Sequence, residues 1–80
     1  MKKSIYSPEQ KKLQKLLQRL RAESGLSQVM MAKLLEKPQS FISKYETGER
    51  RLDILEIRHL CHVLHITLSQ FVEELEKELQ

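Results

Sequence analysis

A chain of 80 residues has room for one small hydrophobic core and not for two. At 40% hydrophobic and 31% charged, with only two Gly and two Pro, it is too apolar to be disordered and too poor in breakers to be loop-rich. Its single cysteine excludes an intramolecular disulfide, and no apolar run approaches the ~20 residues of a membrane span.

The net charge is +3, and its distribution says more than its sum. Residues 1–51 carry 12 of the 14 Lys and Arg against 5 of the 11 acids, a net +7, while residues 52–80 carry two bases and six acids, a net −4. A basic front with an acidic tail suggests a surface for a polyanion on one side only. The opening Met1-Lys2-Lys3-Ser4-Ile5 is basic but leads into no apolar stretch of signal-peptide length, so a cytoplasmic protein is expected.

Along the chain, helical signals recur and strand alternation is missing. Residues 1–6 read as a loose basic arm, and residues 7–80 as one all-α domain of five helices. Ser7 as N-cap, Pro8 in the first turn and Gln10 closing a capping box start the first helix. Leu13, Leu16, Leu17 and Leu20 form its apolar stripe, and Gly25 is placed to end it in the left-handed conformation with Leu26 packing beyond. Ser27 caps a short second helix that turns Met31, Ala32 and Leu35 inward. Pro38 is expected at the first position of a third helix, 38–47, with Ile42 and Tyr45 facing the core and Gly48 ending it. Asp53 and Glu56 make a capping box for a fourth helix, whose apolar side is Ile54, Ile57, Leu60, Cys61 and Leu64. Thr67 and Gln70 repeat the device for a fifth, which carries Phe71, Val72, Leu75 and Leu79.

The runs Leu26-Ser27-Gln28-Val29-Met30-Met31-Ala32-Lys33-Leu34-Leu35 and Pro38-Gln39-Ser40-Phe41-Ile42-Ser43-Lys44-Tyr45-Glu46-Thr47-Gly48-Glu49-Arg50-Arg51-Leu52 resemble the Cro/XRE helix-turn-helix family of phage and bacterial repressors. The resemblance extends over roughly residues 8–75 and implies a lambda-repressor-like five-helix fold. It implies a transcriptional regulator that binds a double-stranded DNA operator, and the small reach of one recognition helix adds the expectation of a homodimer. Gln39, Ser40 and Lys44 match the base-reading positions, and Ser43 lies near the DNA backbone. Gln28 matches the residue that bonds a phosphate at the start of the second helix. Arg21 and Glu46 resemble a pair that ties the first helix to the recognition helix.

The residue types agree with this. Ala32 sits where the two motif helices cross, and a larger side chain there forces them apart. Gln39, Ser40, Ser43, Lys44 and Thr47 share one polar helix face. Gln bonds an adenine edge, Lys reaches guanine O6 and N7, and Ser pairs with either. Arg50 and Arg51, in the loop after the third helix, are candidate phosphate contacts. The chain departs from the family at Glu36, where Gly is usual; a left-handed backbone there costs about 1 kcal/mol. Lys37 replaces an apolar residue of the turn, and Val29, Met30 and Leu34 are apolar where the family is polar.

Other chemistry finds little support. His59, His62 and His65 beside Cys61 invite a zinc reading, but their spacing drifts round the helix and no carboxylate joins them. Nothing places a nucleophile beside a base, so neither an enzyme nor a cofactor is expected. The apolar stripe of the fifth helix suits a dimer surface as well as a core. Stand-alone repressor, restriction–modification controller and antitoxin all fit the class. The alternative from another class is a module that keeps the fold and binds a partner protein, through Val29, Met30 and Leu34.

Overall fold

The Ser7 hydroxyl accepts the Gln10 amide N–H at 3.0 Å, and from this cap α1 runs Pro8–Glu23. These positions come from a computed structural model that describes residues 7–80, so the basic arm expected at 1–6 lies outside the described residues. Gly25, at φ +76°, reverses the chain, and the Leu26 amide bonds back to the Arg21 carbonyl. Ser27 then caps α2 (Gln28–Leu35) by accepting the Met30 N–H. The remaining helices are α3 (Gln39–Thr47), α4 (Ile54–Val63) and α5 (Leu68–Leu79), and the described residues contain no strand. At the heads of α4 and α5, Asp53 with Glu56 and Thr67 with Gln70 each close a reciprocal capping box. Each box satisfies two backbone donors that the helix itself leaves open.

Pro38 is not the first helical residue but the N-cap of α3, with an extended ψ of 156°. The reason lies two residues earlier. Glu36 ends α2 in the left-handed region, φ 58° and ψ 44°, and the Lys37 amide closes onto the Ala32 carbonyl at 2.9 Å. One extended residue must follow before the chain can coil again, and Pro38 fills that place. The same closure recurs after α4, where His65 takes φ 62° and the Ile66 amide reaches the Cys61 carbonyl at 3.0 Å.

The core is drawn from every helix: Leu16 and Leu17, then Met31, Ala32 and Leu35, then Ile42 and Tyr45, then Ile57, Leu60 and Cys61, and Phe71, with Leu64 beyond α4. Twelve buried apolar side chains suffice for one domain of this length. One apolar position departs from expectation. Ile54 is 58% exposed, because the first turn of α4 overhangs the core that Ile57 reaches. Val72 is also exposed, since its neighbour Phe71 takes the inward place on α5.

Helices α2 and α3 pack on each other, α2 also meets α4, and α1 spans α3 and α5. Arg19 fastens that last contact by reaching Glu74 at 3.1 Å and Glu78 at 3.6 Å, as well as Glu23 on its own helix. The acids of α5 are thus partly employed within the fold.

Candidate nucleic-acid interface

Helix α3 owes its orientation to a sharp division of its faces. Ile42, Tyr45 and Glu46 are buried, while Gln39, Ser40, Lys44 and Thr47 are exposed and Ser43 is half-buried. At 100° per residue, Gln39, Ser40, Ser43 and Lys44 occupy one outward stripe. The Thr47 hydroxyl is turned back onto the Ser43 carbonyl at 2.9 Å, which leaves four side chains to present hydrogen-bonding groups.

One edge of the stripe is held by a polar network. Glu46, only 3% exposed, is bracketed by Arg21, whose Nε and terminal NH2 nitrogens donate to the two carboxylate oxygens at 2.7 and 3.1 Å. The other terminal nitrogen of Arg21 donates to the Leu26 carbonyl at 2.8 Å, locking the turn before α2. The carboxylate holds the already strong base Arg21 still more firmly in its charged form. Gln18 donates to the Glu46 backbone carbonyl at 2.8 Å. A buried charge met by so many donors is satisfied and does not carry the full penalty of desolvation.

The network continues outward. Gln28, half-buried at the first turn of α2, donates its amide N–H to Glu46 Oε1 at 2.9 Å. Its carbonyl oxygen accepts from Gln39 Nε2 at 3.3 Å. Gln39 therefore keeps its own carbonyl oxygen and one N–H, the acceptor and donor that an adenine edge requires. Gln28, expected to meet a phosphate, sits at the rim of the stripe with one N–H left over. Its visible work is to orient Gln39.

The opposite edge is built round Phe41, which lies between Lys44 and Tyr45 on the helical wheel. Its ring meets Tyr45 edge-on, with centroids 5.6 Å apart. The Lys37 ammonium lies 5.4 Å and the Arg50 guanidinium 4.8 Å from the ring centroid. Arg50 also donates two N–H groups to the Glu56 carboxylate, at 2.8 and 3.2 Å. Hydrogen bonds from Arg50 first, and from the Asp53 amide second, hold the Glu56 carboxyl below its usual range. Arg50 is thus engaged in an ion pair within the chain at its surface, and Arg51 follows it on the same exposed loop. The sequence reading missed Lys37, Phe41 and Glu56 as parts of this edge. A capping box was the only signal Glu56 gave, and it is a local one.

Gly48 ends α3 at φ +89°, and Gln14 of α1 packs so closely over it that an added Cβ meets the Gln14 amide. Away from α3, Cys61 is buried and its thiol is pushed up by that burial, whereas His59, His62 and His65 are exposed. The described residues bring together no three side chains suited to holding a metal. None of the helices among them is long and apolar enough to cross a membrane.

Comparison with known proteins places this architecture. A helix-turn-helix family model matches residues 17–71, which takes in the C-terminal part of α1, all of α2, α3 and α4, and the first turn of α5. Among solved structures, an XRE-family like protein from Pseudomonas syringae pv. tomato str. DC3000 is 34% identical with a TM-score of 0.81. That alignment covers 92% of this chain and 90% of the other. No curated protein matches. The five-helix order, the capped turn between α2 and α3 and these two matches agree: the chain belongs to the XRE-type, Cro/C1-like helix-turn-helix family of DNA-binding regulators.

Proposed function

We propose that the protein is a sequence-specific repressor that acts in the cytoplasm as a homodimer and reads the major groove with α3. The observation that carries this reading is the outward stripe of Gln39, Ser40 and Lys44, backed by buried Ile42, Tyr45 and Glu46. Ser43, on the same stripe, together with Gln28, Arg50 and Arg51 that flank it, makes up the phosphate-contacting set. Such a helix offers base-edge partners between two rows of backbone contacts, which is the arrangement a major groove demands.

Dimerisation follows from the small reach of one helix: two half-sites about 34 Å apart are read by a symmetric pair. The surface proposed for it is α5, where Val72 is exposed and Leu75 and Leu79 line an open groove with Leu13 of α1. The test is selection of binding duplexes from a random-sequence pool, followed by sedimentation with and without the selected duplex. Recovery of a two-fold symmetric site bound by two chains supports the reading. A strict monomer in both conditions refutes the dimer, and a pool that never enriches refutes sequence-specific binding.

A second reading keeps the fold and gives it a protein partner, as in an antitoxin. It is favoured by Val29, Met30 and Leu34, which are 44%, 51% and 55% exposed along α2. Isolated exposed apolar residues are ordinary, but three on one short helix form a patch. Mobility shift with the chain's own upstream DNA separates this reading from the first.

A further inference from the structure

Arg50 is an unusual candidate for a phosphate contact, because its charge is already paired, at the surface, with a carboxylate of the same chain. Its guanidinium makes a two-point contact with Glu56, donates to the Arg51 carbonyl at 2.8 Å and lies over the Phe41 ring. Glu56 is the fixed partner of the two. Its backbone belongs to the first turn of α4, and its Oε1 also accepts the Asp53 amide N–H at 2.8 Å, so the capping box clamps the carboxylate in place. Arg50 lies on a loop and is tied there only by its long side chain and the bond from its amide to the Lys44 carbonyl at 3.2 Å.

We propose that Glu56 is an affinity-setting residue for DNA: it acts as the internal counterion of Arg50, and a DNA phosphate must displace it to engage Arg50. This rests on the DNA-binding reading above and specifies how one edge of that interface is tuned. The ring of Phe41 keeps the guanidinium beside the α3 stripe while it changes partners, so the movement required is a swing of the side-chain tip.

The consequence is thermodynamic. A free surface cation that meets a phosphate releases a condensed counterion and steepens the fall of log K with log[salt] by about one unit. An Arg that leaves a carboxylate behind releases that counterion but leaves Glu56 to attract a cation from solution. The two ion movements nearly cancel, so Arg50 contributes position without its share of salt dependence.

The test uses a fluorescein-labelled duplex of mixed sequence and anisotropy titrations over a range of salt. Four full-length chains are compared: unaltered, Arg50→Ala, Glu56→Gln and the double variant. Gln at 56 keeps the side-chain oxygen that caps Asp53, so α4 retains its start. The expected result is that Glu56→Gln binds about fivefold tighter near 0.1 M salt, the worth of one exposed ion pair, with a slope steeper by about one unit. Arg50→Ala changes the slope by well under one unit in the native background and by about one in the Glu56→Gln background. Glu49→Gln, on the same loop, is the control: it alters the general field, and its slope does not depend on Arg50.

Flattening by about one unit in both backgrounds shows that Arg50 was never masked and overturns the proposal. No effect of Arg50→Ala in either background shows that Arg50 meets no phosphate and overturns it too. An unaltered protein that binds no duplex at all overturns the DNA-binding reading itself, a distinct outcome. Should Glu56→Gln melt below the assay temperature, the native chain still decides the matter. The Arg50 side-chain NMR signal must move when duplex is added, and a stationary signal overturns the exchange.

Discussion

Removing Arg21 is the sharpest perturbation of the fold. In Arg21→Met the Glu46 carboxylate, 3% exposed, loses both short guanidinium bonds and keeps only the N–H of Gln28. A buried charge stranded in this way costs 3–5 kcal/mol in fully enclosed sites; Arg21 is 18% exposed and water reaches its place, so about 3 kcal/mol is expected. In Glu46→Leu the guanidinium is left with the Leu26 carbonyl and with solvent, for a smaller loss of about 2 kcal/mol. The double variant Arg21→Met with Glu46→Leu strands no charge and fills the space with apolar volume, so its loss should be no more than about 2 kcal/mol. The coupling between the two sites is then about 3 kcal/mol. For a domain of this size 1 kcal/mol moves the melting temperature by roughly 4–8 °C, so thermal melts followed by circular dichroism resolve it easily. Urea titrations of the four chains give the same cycle at constant temperature. Single losses that add to within about 0.5 kcal/mol would mean that the pair does not couple, and the reasoning fails.

Other outcomes follow from local geometry. Glu36→Gly and His65→Gly each relieve a left-handed backbone at φ 58° and 62°, and each should raise stability by about 1 kcal/mol in urea titrations. Gly48→Ala should lower it by about 1 kcal/mol, since φ +89° disfavours any Cβ and Gln14 must move aside. Burial pushes the Tyr45 hydroxyl well above its ordinary value of 10.0, so the unfolded chain ionises first. Stability from that group is present below pH 10.0 and is lost as pH rises past it, and Tyr45→Phe should flatten this alkaline limb of a melt series. Glu56 and Glu74 are held below the usual carboxylate range by Arg50 and Arg19, so their contribution is present above that range and falls away as acid titrates the folded carboxyls. Arg19→Ala should shrink the Glu74 part of that acid limb without abolishing it, because Lys77 also holds that carboxyl down, and the effect should be small because the pair is largely solvated.

Local signals made most of the fold legible. The caps at Ser7, Ser27, Asp53 and Thr67 and the glycines at 25 and 48 are where the sequence reading placed them, because a helix end must satisfy its own backbone within three or four residues. The left-handed turn at Glu36 was foreseen through the family resemblance, whereas His65 carries no mark in its residue type. Pro38 was misplaced by one residue, since its fixed φ suits an N-cap as well as a first helical turn. Ile54 misled because periodicity reports a face and not where the core ends. Long-range polar contacts stayed hidden. Nothing in the local sequence pairs Arg19 with Glu74, 55 residues away, or shows that Gln28 spends its amide on Glu46 and Gln39. Arg50 and Glu56 are six apart, a spacing that no helix brings together; only the loop after α3 does so.

The central claim is that α3 carries sequence information, and Gln39→Ala tests it most directly. A neutral side chain exchanges no counterion, so its loss should leave backbone affinity alone. Measured by fluorescence anisotropy, Gln39→Ala should cost about 1–3 kcal/mol on the best duplex from selection and far less on a scrambled duplex of the same length, with equal salt slopes on both. Equal losses on the two duplexes would contradict a base-reading third helix.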